Sequence, residues 1–341
     1  MAPRLEESRR FNRSVEARHP LKKPAIHCWV YNHQLYGIGD QVSFAVAAFR
    51  QHGYPVSVGR QPRRLSLNVV IEGFPSESSR DVLLNFCRSS RKRVAVIMTE
   101  HLDFQHGQVY FHGAPLGSHN DYMHSSTILT RMKHLLECLP YLRCFFVLGD
   151  LPELRNISTL VPGVDVRAIP FPSLSDGPRE AVGTSCDAVH DLVFTGAMTE
   201  YRARLLSLLE AEGLSVMCPR KFVSRNRRNA LNRSGKVIVN IPQRGGWQWL
   251  SLMRIIAGLQ TGRATVSLGT HDASHIASCC TQLDIRDHDW VSRVKQCVDD
   301  WKSLYFRDLI SYAAMMQKFE RGKAFPHDVF EYWGVTDRVC S

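Results

Sequence analysis

Short apolar strands alternate with amphipathic helices along most of this chain, and the alternation begins twice. The first series opens at AIHCWVY, residues 25–31, and the second at DLVFTG, residues 191–196. Between them, residues 166–190 are rich in Pro, Gly and Ser and lack a sustained period, which is typical of a domain boundary. Strands separated by helices at this spacing predict a mostly parallel sheet with helices on both faces. The sequence therefore predicts an α/β fold with two tandem doubly wound, Rossmann-like domains facing across a cleft.

Length and composition agree with two soluble domains. At 341 residues the chain exceeds what one core usually organises, and its 44% hydrophobic and 22% charged residues are ordinary for a globular protein. We expect a flexible basic arm over 1–24, an N-terminal domain over 25–172, a linker over 173–190, and a C-terminal domain with terminal helices over 191–341. Apolar runs are too short for a transmembrane segment, and residues 1–24 lack a signal-peptide core. A cytoplasmic protein is the resulting expectation.

Cysteine spacing and net charge constrain the partners. The ten cysteines form no C-x-x-C pair, so reduced, buried thiols are expected rather than a zinc site. The net charge of +11 favours an anionic partner, either a nucleotide, a phosphorylated lipid, an anionic membrane surface or a nucleic acid. Basic residues concentrate in the N-terminal arm and in PRKFVSRNRRNALNR, residues 219–233. A solvated, solubilising surface explains both concentrations about as well as phosphate binding does.

The first strand-to-helix junction of the second series carries a glycine. Ligands of doubly wound sheets bind beyond the carboxyl ends of the strands, where loops enter helices. Gly196 lies at such a point, and its missing side chain would let a phosphate approach backbone amides and a helix N-terminus. Arg202 follows on the helix and could reach back over the loop. A simple tight turn explains Gly196 nearly as well as a ligand contact.

A later junction, NIPQRGGWQWL, combines several features. Arg244, Gly245 and Gly246 lie after a strand and before a helix expected from Trp247 onward, so a guanidinium, amides and a helix dipole could converge on one anion. Trp247 could stack on a base or sugar, whereas packing explains the indole two residues later better. Arg254 lies about two turns into an apolar helix, where an arginine needs an anionic partner.

These two junctions resemble a known family. The order LVFTG, YRARLLSLLEAEGLSV, KVIVNI and LMRIIAGLQTGRATVSL is similar to the nucleotide-binding half of GT-B glycosyltransferases, especially those related to the spore-maturation protein CgeB. The resemblance covers roughly the last half of the chain in sequence and the first half in architecture. It matches Gly196 to the family's loop glycine, and Arg254 with Gly262 to an arginine eight residues before a glycine. Many retaining members carry glutamates on this helix, where this chain has Ser251 and Ala257.

The resemblance implies a nucleotide-sugar donor in the C-terminal domain and an acceptor in the N-terminal domain. It also implies that no cofactor or metal is needed, because a helix dipole and basic side chains neutralise the leaving diphosphate. An inverting transfer needs a base near the acceptor hydroxyl, and Asp40, Glu100 and His101 are the candidates. Gly37 and Gly39 would let the acceptor or a donor phosphate approach the loop before Asp40. Helix capping by Asp40 and an ordinary loop role for His101 are the alternatives.

Other functions compete with glycosyl transfer. A degenerate member of the fold would bind a nucleotide sugar, or a partner protein, without turnover, and the missing glutamates favour it. A nucleic-acid-binding or nucleic-acid-modifying protein is suggested by the charge, although no recognised nucleic-acid module is present. A two-domain epimerase would share the fold and use carboxylates in the cleft. A dinucleotide-dependent enzyme is disfavoured because neither half completes G-x-G-x-x-G after its first strand.

Overall fold

The computed structural model describes residues 23–31, 35–72, 76–118, 124–150, 154–174, 188–247, 249–322 and 324–339. Most of the expected basic arm and of the expected linker lies outside these residues. The first half contains strands β1 (Ile26–Trp29), β2 (Val56–Gly59), β3 (Leu67–Ile71), β4 (Val94–Ile97), β5 (Leu102–Gln105), β6 (Gln108–Phe111), β7 (Ala114–Pro115), β8 (Leu142–Leu148), β9 (Leu154–Arg155) and β10 (Val166–Ile169). Its helices are α1 (Leu35–Gln51), α2 (Glu77–Ser90), α3 (Ser125–Cys138) and α4 (Ile157–Leu160), with a 3-10 turn at Leu139–Tyr141.

The first half is built on a parallel sheet in the order β10-β8-β4-β3-β1-β2. The strands β1, β3 and β4 are buried along their whole length, which explains their nearly continuous apolar sequences. A second, smaller sheet in the order β7-β6-β5-β9 follows the carboxyl end of β4. The strand alternation predicted the large sheet, whereas the small sheet was not anticipated.

Helix α1 begins earlier than the sequence suggested. Residues 32–40 were expected to form a loop, but the helix starts at Leu35 and contains Gly37, Gly39 and Asp40. The physical reason is the apolar stripe of the helix, because Ile38 is buried one turn before Val42 and continues its face onto the core. Each glycine costs about 1 kcal/mol relative to alanine in a helix, and burial of the stripe offsets this cost.

The second half repeats the arrangement. Its strands are β11 (His190–Val193), β12 (Val216–Met217), β13 (Gly235–Asn240), β14 (Ala264–Leu268) and β15 (Thr281–Leu283). Its helices are α5 (Glu200–Ala211), α6 (Arg225–Ser234), α7 (Leu252–Gln260), α8 (Trp290–Asp299), α9 (Trp301–Gly322) and α10 (His327–Val339), and a 3-10 helix spans His275–Cys279. The strands form a parallel sheet in the order β12-β11-β13-β14-β15. Both large sheets are therefore doubly wound, as the sequence predicted.

Helix α7 begins later than expected, at Leu252 rather than at Trp247. The described residues before it, 241–247 and 249–251, belong to no helix, and Gly246 among them has a left-handed backbone with φ of 76°. The backbone amide of Leu250 donates a 2.8 Å hydrogen bond to Asp272, which holds this loop outside the helix. Gly245 and Gly246 consequently lie in a turn and not at a helix N-terminus.

The last helix packs on the first half of the chain. The Phe330 ring stacks on Phe146 of β8 at 5.2 Å and contacts Phe49 of α1 at 5.5 Å, and Trp333 is 1% exposed in the same core. The strand–helix pattern of the sequence predicts this helix as part of the C-terminal domain. Its aromatic side chains instead cover α1 and the first sheet, because burying a Phe there stabilises the fold by about 1.5–3 kcal/mol. Within the described residues, no helix is long and apolar enough to cross a membrane.

Candidate active site in the interdomain cleft

A cavity of about 430 Å³ lies between the two halves, where strands from both large sheets end. The first half contributes residues that follow β4, and the second half contributes those that follow β11 and β13. In the second sheet the strand order reverses between β11 and β13, so the cavity lies at a topological switch point. Switch points are where doubly wound sheets bind their ligands, and the volume suits a small organic ligand.

Gly196 and Arg254 are in direct contact in this cavity. A Cβ atom placed on Gly196 would lie 2.6 Å from Nη2 of Arg254 and 2.7 Å from the Phe194 ring. Glycine is thus required for the guanidinium to lie against the backbone after β11. Arg254 also donates from Nη1 to Oδ1 of Asn240 at 2.6 Å and lies 5.1 Å from the centre of the Phe194 ring. These contacts fix the guanidinium at the switch point.

The charge of Arg254 is not neutralised by a carboxylate in the described part of the chain, where no Asp or Glu forms an ion pair with it. Burial, together with the neighbouring cations Arg202 and Arg228, lowers the pKa of Arg254 to about 9. The side chain remains charged at neutral pH. A bound anion would relieve both the desolvation and the repulsion, so this point of the cleft favours negative charge.

Arg202 shapes the loops beside Arg254. Its Nε donates to the carbonyl of Ile241 at 2.9 Å, and its Nη1 donates to the carbonyl of Ala197 at 2.7 Å. The side chain is buried and reaches back from α5 over the loop after β11, which is the path considered in the sequence analysis. It joins the ends of β11 and β13, and its charge adds to the positive potential at Arg254.

The NIPQRGGWQWL junction does not gather its residues around one anion as the sequence suggested. Arg244 donates from Nη2 to the carbonyl of His112 at 2.8 Å and so ties the second half to the small sheet of the first. Gly245 lies beside the Tyr201 ring, and neither it nor Gly246 lines the cavity. Trp247 lines the cavity and stacks on His112 at 4.2 Å. Arg254 and Trp247 therefore face the cavity, and Arg244 braces the loop that carries Trp247.

The opposite wall contains a chain of charged groups that starts at Glu100. Its Oε2 lies 2.6 Å from Nε2 of His112, and its Oε1 lies 2.9 Å from Nη2 of Arg131. Burial would raise the pKa of Glu100, but the hydrogen bond from His112 and the charge of Arg131 outweigh it and lower the pKa to about 2. Arg131 also bonds to both oxygens of buried Glu72, whose pKa burial raises. Glu100 is therefore an ionised group that positions His112.

The remaining predicted residues divide between the cavity and its surroundings. His101 lines the cavity and its ring lies 3.8 Å from Trp249. Gly37 lines the cavity at the start of α1, whereas Gly39 does not, and its carbonyl accepts a 2.8 Å hydrogen bond from Ser43. Asp40 also lies outside the cavity lining, because its carboxylate bonds to Arg228 and pairs with Arg225 at 3.4 Å.

His112 is a cavity residue that the sequence pattern did not predict. It follows β6 in a left-handed conformation with φ of 51°, and Gly113 after it has φ of 77°. A non-glycine residue in this region is uncommon and clusters at functional sites. The residue lines the cavity beside Glu100 and Trp247. Among the described residues, no group of three or more His, Cys, Asp or Glu side chains could hold a metal ion.

No family model matches the sequence, and no curated protein does either. The chain is similar in fold to solved glycosyltransferases. T4 phage β-glucosyltransferase is 10% identical over 93% of this chain and 98% of its own, with a TM-score of 0.47. The UDP-forming α,α-trehalose-phosphate synthase from Burkholderia xenovorans is 11% identical over 91% of this chain and 79% of its own, with a TM-score of 0.40. An α1,3-fucosyltransferase is 11% identical over 94% and 92%, with a TM-score of 0.39. The likeness is one of fold.

Proposed function

We propose that this protein is a glycosyltransferase that moves a sugar from a nucleotide-sugar donor to a hydroxyl group of an acceptor. The observation that carries the proposal is the position of Arg254. Its guanidinium lies at a topological switch point, against the backbone of Gly196, without a carboxylate partner in the described chain. A partly buried cation in this setting suits a ligand that brings its own negative charge, as a nucleoside diphosphate does.

The donor diphosphate would bind between the backbone after Gly196 and the guanidinium of Arg254. During transfer the bond between the sugar C1 and the phosphate oxygen breaks, and negative charge develops on the leaving diphosphate. Arg254 would stabilise this charge, with Arg202 contributing through its potential behind the loop. We assign no metal and no cofactor to this step, because the positive charge comes from side chains.

The acceptor would bind against the wall that follows β4. A new bond forms between the acceptor oxygen and C1, and the hydroxyl proton passes to His112. Glu100 holds that imidazole at 2.6 Å and would stabilise the imidazolium, while Arg131 fixes the carboxylate from the other side. Of the residues first considered as bases, Glu100 is in this proposal a positioning residue and His101 a wall of the acceptor site. Asp40 is held by two arginines outside the cavity and takes no part in proton transfer.

A second candidate is a protein that binds the nucleotide sugar without turnover. It is favoured by Ser251, which lines the cavity where many retaining members of the resembled family carry a glutamate. The two candidates share the donor site and differ only in whether the sugar is transferred.

Thermal unfolding with a panel of nucleoside diphosphate sugars tests the donor site. A ligand at a hundred times its Kd adds about 2.7 kcal/mol of stability, which is readily measured. We expect Arg254→Met to lose the shift and Arg204→Met, an exposed change on α5, to keep it. The absence of a shift with every nucleotide would refute both candidates.

Turnover then separates transferase from binder. We expect His112→Gln to keep the donor-induced shift and to slow release of the nucleoside diphosphate at least about a hundredfold. A donor-induced shift in the wild-type protein with no release of diphosphate, with water or any acceptor tested, would favour the binder.

A further inference from the structure

A strongly basic surface adjoins the cleft. We call residues 219–233 the basic segment; it comprises the loop after β12 and helix α6, and it contains six Arg or Lys residues and no Asp or Glu. The side chains of Arg220, Lys221, Arg225, Arg227 and Arg233 are exposed. Such a concentration creates a local positive potential that attracts polyanions.

An aromatic side chain in the same segment stands at the mouth of the cavity. Phe222 is 73% exposed, and it lines the cavity together with Arg254 and His112. A single exposed apolar side chain is common on protein surfaces, so the exposure of Phe222 alone identifies no ligand. Its place in the cavity lining, next to Arg220 and Lys221 in sequence, suits a planar ligand that enters the cavity past those residues.

The basic surface continues away from the cavity and onto the first half of the chain. Arg225 and Arg228 bridge to Asp40 of α1. Asp40 and Arg225 of this bridge line a groove of about 650 Å³ together with Arg50 and Arg233. Positive side chains therefore extend from the cavity mouth, along α6, to a second groove that both halves line. A long ligand could contact the whole path, and a mononucleotide could not.

We infer that the basic segment binds single-stranded nucleic acid and that the acceptor group is carried on a nucleotide of that strand; this second part rests on the proposed function. The phosphates of the nucleic acid form ion pairs with the arginines, and one exposed base stacks on Phe222. A positively charged track with an aromatic platform is the usual means of binding single strands without sequence preference. An anionic membrane fits less well, because an interfacial helix needs an apolar face and Phe222 is the one large apolar side chain exposed in this fully described segment.

Fluorescence anisotropy with labelled 20-nucleotide oligo-dT and oligo-U tests the inference over a series of salt concentrations. Binding should weaken steeply with salt, because each phosphate contact to a single strand contributes about 0.7 to the slope of log K against log salt. The triple variant Arg220→Gln, Lys221→Gln, Arg227→Gln should lower that slope by about 2. Phe222→Ala should weaken binding about tenfold while leaving the slope unchanged, since stacking does not release counterions. Lys318→Gln, an exposed change on α9, is the matched control and should bind as the wild type does.

Three results would overturn the inference. They are no binding at about 50 mM salt, binding that neither variant alters, and equal or tighter binding to poly-L-glutamate or to anionic lipid vesicles. The donor-induced rise in unfolding temperature is read separately on the triple variant, which should keep it because Arg220, Lys221 and Arg227 do not line the cavity. Binding of the oligonucleotides without any donor-induced shift would support the nucleic-acid surface and refute the proposed transferase. A donor-induced shift without oligonucleotide binding would support the donor site and refute the nucleic-acid surface.

Discussion

Replacing Arg254 by methionine should leave the free protein as stable as the wild type or more stable, while it abolishes binding of the donor. Burial and two neighbouring cations lower the pKa of Arg254 from 12.5 to about 9. Because the folded state disfavours the charged form, this cost to stability is fully present below about pH 9. It decreases as the pH rises from there toward the unfolded value of 12.5. Methionine fills a similar volume without carrying the charge.

The expected magnitude follows from opposing terms. The lowered pKa corresponds to about 4–5 kcal/mol, and partial exposure of the side chain reduces this to about half through solvent screening. The variant also loses the hydrogen bond to Asn240 and leaves its Oδ1 without that donor, which costs about 1.5–2 kcal/mol. The net change is therefore between zero and a gain of about 1 kcal/mol. At roughly 2–4 °C for each kcal/mol, the Tm should rise by at most a few degrees.

Arg263 supplies a matched control in the same domain. It is 1% exposed, and its guanidinium donates to the carbonyls of Gly235, Gly262 and Arg233. Arg263→Met leaves these buried carbonyls without donors and should lower the free energy of unfolding by about 2–4 kcal/mol. Both variants are compared by chemical denaturation at pH 7 without ligand. A loss of more than about 2 kcal/mol in Arg254→Met, close to that of the control, would show that Arg254 is a structural residue and would refute the assignment of a ligand charge to it.

Three further predictions concern other parts of the molecule. Gly196→Ala should weaken the donor-induced Tm shift, because its methyl group would lie 2.6 Å from Nη2 of Arg254; an unchanged shift would mean that the guanidinium is not held there. Burial raises the pKa of the fully buried Asp308 carboxyl to about 6, so the folded state disfavours its charged form. Asp308→Asn should therefore raise the free energy of unfolding by about 1–3 kcal/mol above pH 6 and leave it unchanged below about pH 4. Equal effects at both pH values in urea titrations would contradict this. Trp333→Ala should cost about 3–5 kcal/mol and increase hydrogen exchange in the first sheet, and increased exchange confined to the second sheet would contradict the packing of α10.

Periodicity predicted the large elements because each is decided by local burial. The strand β14 (Ala264–Leu268) is buried at every position, and it belongs to the second strand–helix series that the alternation predicted. The predicted boundaries of helices were wrong where tertiary contacts override the local sequence pattern. The two glycines at 37 and 39 indicated a loop, but burial of Ile38 extends α1 through them. In the opposite direction, the bond from Leu250 to Asp272 shortens a helix that propensity would start earlier.

The small sheet carried a signal that could have been used. In LDFQHGQVYF two alternating runs flank His106 and Gly107, whose φ angles of 50° and 77° match a two-residue hairpin turn. Recognising that hairpin would have placed the residues after β6 beside Glu100. The stacking of Trp247 on His112 had no comparable signal, because it joins residues 135 positions apart through the closure of the two halves. Candidate residues at strand ends were thus predictable, and their partners across the cleft were not.

The two halves are electrostatically coupled at the proposed donor site, although the arginines assigned to it belong to the second half. Asp40 lies on α1 of the first half and neutralises Arg228, and Arg228 is one of the cations that lower the pKa of Arg254. Separating the halves would remove Asp40 and leave three neighbouring guanidinium groups on the second half, while exposing Arg254 to water. Closing them desolvates Arg254 and places His112 and Glu100 opposite it. The closed arrangement places the guanidinium of Arg254 inside the cleft, whereas Arg220, Lys221, Arg225 and Arg227 are exposed outside its lining, so the proposed donor and the proposed nucleic-acid strand would meet different parts of the same positive surface.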